Sequence, residues 1–179
     1  LWDNGDYKIT SEDRVIQGQE RPKFTLSLNN SFKYKDFDLS VFFVGSFGGM
    51  MKNHISYLNQ AHRNGNVKVN YWTPTNPTND FPRPIEGVDY LPYYETLHYE
   101  KTDFIKLRDV TLGYTIPSHL TRKLEISRCR VYLQAQNPWM WTNFTGVDPE
   151  GQNKDVDGTY KGYTRPTPST WIVGLNLSF

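Results

Sequence analysis

The sequence predicts an all-β chain: the last five strands of an antiparallel transmembrane β-barrel, with two long extracellular loops. Three observations predict it. Five segments alternate apolar and polar residues with period two, the connections between them alternate strictly between short and long, and no segment carries the pattern of a long helix. Period-two alternation sends successive side chains to opposite faces, so each segment has one oily side and one wet side.

The first segment runs from about Lys23 to Tyr34, with Phe24, Leu26, Leu28, Phe32 and Tyr34 on one face and Asn30 interrupting it. Lys23, Thr25, Ser27, Asn29, Ser31 and Lys33 take the other face. The second, Phe37 to Phe47, aligns Phe37, Leu39, Val41, Phe43 and Phe47; its other face begins polar at Asp38 and Ser40 but then carries Phe42 and Val44. In the third, Phe104 to Ile116, Val110, Leu112, Tyr114 and Ile116 oppose Asp109, Thr111, Gly113 and Thr115. Lys106 and Arg108 share the parity of Val110, so they are expected to lie on the lipid side at the outer rim, where long cationic side chains snorkel to head groups. The fourth, about Ile126 to Asn137, sets Cys129, Val131, Leu133 and Ala135 against Arg128, Arg130, Tyr132, Gln134 and Gln136. The fifth alternates Trp171, Val173, Leu175, Leu177 and Phe179 with Ile172, Gly174, Asn176 and Ser178. Residues 53–63 allow one short helix, and Leu120 to Leu124 is too short to assign.

A tight turn at Lys35-Asp36 joins the first two segments, and Pro117 to Glu125 joins the third and fourth. Between them stand long connections, Gly48 to Asp103 and Pro138 to Pro168. Connections beyond about 12–15 residues are uncommon in compact domains. Short turns at one end and long loops at the other are the asymmetry of a membrane barrel, whose periplasmic turns are short and extracellular loops long. With the fifth strand running inward, every short link falls on the periplasmic side and every long one outside.

Composition sets bounds on this reading. The 179 residues carry a net charge of +1, which gives no electrostatic case for nucleic acid. The mean hydropathy of −0.67 argues against a helical membrane bundle, but not against a barrel, whose strands offer only alternate residues to lipid. Aromatics reach 15%, as interfacial girdles require, although sugar-binding modules are also aromatic-rich. A single cysteine, Cys129, excludes internal disulfides and cysteine-based zinc sites. Five strands are too few to close a membrane barrel, and an open edge is not tolerated in hydrocarbon, so further strands of the same protein are expected to precede these.

Several motifs resemble the SusC/RagA class of TonB-dependent transporters. They are Tyr34-Lys-Asp-Phe-Asp-Leu-Ser40, Tyr71-Trp-Thr-Pro-Thr-Asn-Pro77, Asp103-Phe-Ile-Lys-Leu-Arg-Asp-Val-Thr-Leu-Gly-Tyr-Thr-Ile-Pro117, Arg130-Val-Tyr-Leu-Gln-Ala-Gln-Asn137 and Thr142-Asn-Phe-Thr-Gly-Val-Asp-Pro-Glu150. The closing Arg165-Pro-Thr-Pro-Ser-Thr-Trp-Ile-Val-Gly-Leu-Asn-Leu-Ser-Phe179 is similar to that family's last strand. The resemblance implies that residues 1–179 are the C-terminal portion of a 22-stranded barrel in the cell outer membrane, with the plug domain and earlier strands outside this sequence. It implies import of oligosaccharides, or of peptides, driven by TonB through the plug, beneath a SusD-like surface lipoprotein. It also implies that Trp171, Val173, Leu175, Leu177 and Phe179 form the barrel-insertion signal.

Candidate sites are few. Trp139 and Trp141, at the entrance to the second long loop, can stack on sugar rings, but an aromatic belt at the membrane surface is the favoured reading. Trp72 opens a Pro/Thr/Asn-rich stretch to Pro84 that reads either as a stiff docking loop or as loop packing. Arg128, Arg130, Tyr132, Gln134 and Gln136 face the lumen; for Arg128, Arg130 and Gln134, salt bridges to a plug are favoured over contact with solute. Asn153, Asp155, Asp157 and Gly158 match the start of an EF-hand loop, but Thr164 stands where the bidentate glutamate belongs. A solvated acidic loop is therefore favoured over calcium, and no cofactor is expected. His54, His62, His98 and His119 lack metal-ligand spacing, and no nucleophile, phosphate loop or acid/base pair suggests an enzyme. The competing reading is a soluble carbohydrate-binding β-sandwich, which expects two packed sheets with short loops at both ends.

Overall fold

Aromatic, β-branched and leucine side chains fill the alternating segments, and such residues suit a pleated surface that buries one side. A computed structural model describes residues 5, 10–53, 70–81, 83, 98–150, 159–160 and 166–179. Its strands are β1 (Phe24–Tyr34), β2 (Phe37–Phe47), β3 (Met50–Asn53), β4 (Tyr99–Lys101), β5 (Phe104–Ile116), β6 (Arg128–Thr142), β7 (Thr159–Tyr160) and β8 (Thr170–Ser178), with one α-helical turn, α1 (Ser118–Thr121), between β5 and β6. No helix among the described residues is long and apolar enough to cross a membrane.

The five expected strands form one antiparallel layer in the order β1-β2-β5-β6-β8. Each neighbours the next in sequence, apart from three short strands inserted in the long connections. The sandwich reading expects two packed layers of these strands; they make one, with β1 and β8 as its edges.

The short ends are built as local chemistry dictates. Tyr34 pairs with Phe37, so Lys35 and Asp36 alone make the turn, and Lys35 takes the left-handed conformation at φ 53°. The amide of Thr115 donates to the Asp36 carbonyl (2.8 Å), tying this hairpin to β5. Between β5 and β6, Pro117 precedes α1 and a 3-10 turn (Arg122–Leu124) follows it, ending at Glu125 in the left-handed region (φ 57°). This stretch, too short to assign from sequence, thus includes two helical turns.

At the other end the sequence reading needs three corrections. First, β6 does not stop at Asn137. It continues to Thr142 through Asn137, at φ 50°, and Pro138. Trp139 and Trp141 therefore stand on a strand, not in a loop. Second, β5 carries a bulge: Asp109 pairs with Phe42 and Leu107 with Phe43, leaving Arg108 as an extra residue. One extra residue reverses the facing of everything beyond it. Lys106 consequently leaves the parity of Val110 and joins the polar face, while Ile105 and Leu107 join the apolar one. Third, the long connections contribute a second sheet, ordered β4-β3-β7, whose β3 and β7 run parallel. Of the stretch proposed as a helix, Asn53 ends β3, and residues 54–63 lie outside the described residues.

Candidate functional site: two faces and a loop-end clasp

Following the registers across the sheet assigns every side chain to a face. On the apolar face Leu28 lies beside Phe43, and Leu39 beside Leu112; Leu112 neighbours Leu133, which neighbours Val173. Trp139 pairs with Leu107 and Trp141 with Ile105, so both indoles extend this face at the long-loop end. Their rings are 6.3 Å apart. Aromatic pairs mark both ends: Phe24 stacks on Phe47 at 5.1 Å near the long loops, and Phe37 meets Tyr114 at 4.7 Å near the short turns. Between them the face is mostly aliphatic, with Phe32 and Phe43 among the leucines and valines and Asn30, beside Val41, as a polar interruption. This face is open: Leu112 is 48% exposed, Trp171 66% and Val173 77%. An exposed apolar surface spanning five strands far exceeds the few hundred Å² that soluble monomers tolerate.

The polar face is keyed. Arg130 reaches from β6 across β5 to Asp38 on β2, donating from Nε at 2.9 Å and from Nη2 at 2.5 Å. This two-pronged pairing is the strong form of an arginine–carboxylate contact. It passes directly over Gly113, where a Cβ would stand 2.3 Å from the Arg130 Nη2. Tyr132 lies over Gly174 of β8 in the same manner, with a Cβ there 2.2 Å from the ring. The Arg130 guanidinium sits 5.2 Å from the Tyr132 ring centre. Gln134 donates to Asp109 at 2.5 Å, and Thr111 donates to the other oxygen of the same carboxylate at 3.0 Å. Arg128 and Gln136 share this face through their pairing with Ser178 and Thr170. Sequence reasoning favoured a plug domain, outside this sequence, as the partner of Arg128, Arg130 and Gln134; within the wall itself Arg130 pairs with Asp38 and Gln134 with Asp109. The glycines Gly113 and Gly174 leave the space over which Arg130 and Tyr132 lie.

The loop end carries a cluster that the sequence reading missed. Lys106, only 3% exposed, donates to Glu150 at 2.6 Å, and Arg108 donates to the other oxygen of Glu150, also at 2.6 Å. Leaving Lys106 there without its partner would cost about 3–5 kcal/mol. Asp148 accepts from the Glu150 amide (2.9 Å) and from the Thr167 hydroxyl (2.9 Å), so both ends of the second long connection are tied together. A clue was available: Ile105 and Leu107 are apolar out of step with Val110, which signals a bulge between them.

Trp72 stands in a separate loop, where its amide donates to the Phe81 carbonyl (2.8 Å) and Asn76 bonds Asn70 and the Tyr71 carbonyl. Trp171, Val173, Leu175 and Leu177 line the apolar face of β8, and Phe179 follows it, 85% exposed. His98 is buried and His119 lies in α1. The acidic loop of Asp155 and Asp157, together with His54, His62 and Pro84, lies outside the described residues.

A single antiparallel layer with one oily face, one internally paired polar face, short turns at one end and long loops at the other defines a stretch of transmembrane β-barrel wall. No protein-family model matches the chain. Known proteins do. TonB-dependent receptor P26 of Formosa agariphila is 32% identical over 99% of this chain and 19% of its own length. TonB-dependent receptor SusC of Bacteroides thetaiotaomicron is 25% identical over 98% of this chain and 17% of its own. The solved RagAB peptide importer in its closed-closed state superposes with a TM-score of 0.74 at 24% identity, over 96% of this chain and 19% of that one. The chain belongs to the SusC/RagA group of TonB-dependent receptors, as a segment of their barrel. It spans 19% and 17% of the lengths of the two curated relatives.

Proposed function

We propose that this chain is the C-terminal part of the barrel of an outer-membrane nutrient importer, a transporter and not an enzyme. In this reading the apolar face meets lipid and the polar face lines the lumen. A plug domain and earlier strands of the same protein complete the molecule, and TonB acts through that plug. A SusD-like surface lipoprotein caps the long-loop end. The cargo is an oligosaccharide, with a peptide as the alternative; RagAB is described as a peptide importer, but its likeness to this chain bears on fold.

The observation that carries the reading is the continuous apolar face. The eleven residues of β1, from Phe24 to Tyr34, extend about 33 Å at about 3.3 Å per residue. With a strand tilt of about 40° they rise about 25 Å, the height of an outer-membrane apolar band. The ends of this span carry the aromatic pairs described above, as interfacial girdles do. The place of Trp139 and Trp141 on the apolar face supports a belt role for them over sugar stacking. The alternation of β8 supports it as the strand read by the insertion machinery.

The full-length protein tests this directly. It is expected in the outer-membrane fraction, soluble only with detergent, and its deletion is expected to abolish growth on one class of glycan or peptide. Full solubility without detergent would overturn the barrel; unimpaired growth on every glycan and peptide offered would overturn import.

A further inference from the structure

At the long-loop end the cover on the sheet lies over one face only. Phe104 and Lys106 of β5 are 6% and 3% exposed, whereas Ile105 between them is 44% exposed. The first two point to the polar face and Ile105 to the apolar one, so the loop roots fold onto the polar side. They also fold as one. The sheet β4-β3-β7 takes two strands from the first long connection and one from the second. Met51 of the first packs with Phe144 of the second, and both are buried. Glu100 of the first accepts from the Thr145 amide (2.9 Å) and hydroxyl (2.7 Å) of the second, and Asn53 donates to both Glu100 and Thr145 at 2.9 Å.

We infer that the roots of the two long loops are a single rigid ledge, locked onto the polar face by Glu150 between Lys106 and Arg108. The ledge is a fixed part of the entrance, under which cargo passes. It is distinct from any element that swings. The bulge at Arg108 makes this lock. Were Arg108 paired in regular register instead of bulged, Lys106 would keep the parity of Val110 and point into lipid, and Glu150 would have no buried cation beneath it. That the ledge narrows an entrance rests on the barrel reading; that it is rigid and locked by Glu150 does not.

Hydrogen exchange on the full-length protein in detergent separates the two. The amides of Thr145, Glu150 and Thr167, which donate to Glu100 and Asp148, are expected to exchange at least 100-fold more slowly than an unstructured chain. In Glu150→Lys that protection is expected to fall at least tenfold at all three, including Thr145, whose own acceptor is untouched. The triple variant Glu150→Lys, Lys106→Glu, Arg108→Glu, which reverses the pairing, is expected to restore it. Glu150→Gln, a milder change, is expected to lose protection partially. Unstructured-rate exchange in the unaltered protein, or a loss confined to Glu150, would overturn the ledge. Either result leaves the membrane location untouched, which fractionation tests by itself.

Discussion

The two faces of the wall are specified by different physics. On the apolar face the requirement is that each residue be oily and of reasonable size, because hydrocarbon makes no directional demand. Leu133, Leu112 and Val173 adjoin one another across strands without any hydrogen bond to satisfy. On the polar face each long side chain has a defined place: Arg130 lies over Gly113 to reach Asp38, and Tyr132 lies over Gly174. One face is therefore tolerant of exchange within a chemical class and intolerant of charge. The other tolerates charge and is intolerant of an added methyl.

That difference can be broken most severely where the faces exchange. Glu150→Ala leaves Lys106 buried on the polar face without its carboxylate, beside the bulge where the faces exchange. The expected loss is about 3–5 kcal/mol, the cost of a broken buried ion pair. It should appear as loss of folded, heat-modifiable barrel from the outer membrane. Leu133→Arg comes next, at about 2–4 kcal/mol for a cation near the middle of the lipid-facing band. Its neighbour change Gln134→Arg should stay within about 0.5 kcal/mol, since that side chain faces polar groups and can still reach Asp109. Urea unfolding of the pair in detergent checks the contrast; equal losses would mean that the faces are not distinguished by their surroundings. Gly113→Ala is smaller, at about 1 kcal/mol, because the added methyl displaces the Arg130 fork from Asp38. The companion Asp38→Asn should make Gly113→Ala nearly silent, and a double-mutant cycle measures this coupling.

Much of the wall was legible because its signal is local. Period-two alternation reads out β2 and β5 with the bounds found, and two residues between apolar runs read out the Lys35-Asp36 turn. The bulge was less legible. The parity change rests on one residue, and assigning Lys106 and Arg108 to the rim let the out-of-step Ile105 and Leu107 pass without a bulge. Pro138 hid the end of β6, since proline lacks the amide that a strand interior requires. Strands β3, β4 and β7 have four, three and two residues, too few for any periodicity, and they exist through pairing between connections far apart in sequence. The Arg130–Asp38 pair is hidden for the same reason: 92 residues separate its members, and only the register of three strands aligns them.

The central claim is that the face bearing Leu133 contacts hydrocarbon while the face bearing Gln134 contacts water. A nitroxide placed in turn at each position from 130 to 135 of the full-length protein in lipid bilayers measures this directly, through its collision rates with oxygen and with a water-soluble nickel complex. Oxygen contact should peak at 131, 133 and 135, and nickel contact at 130, 132 and 134. A profile without that alternation, or with the phases exchanged, would contradict the account.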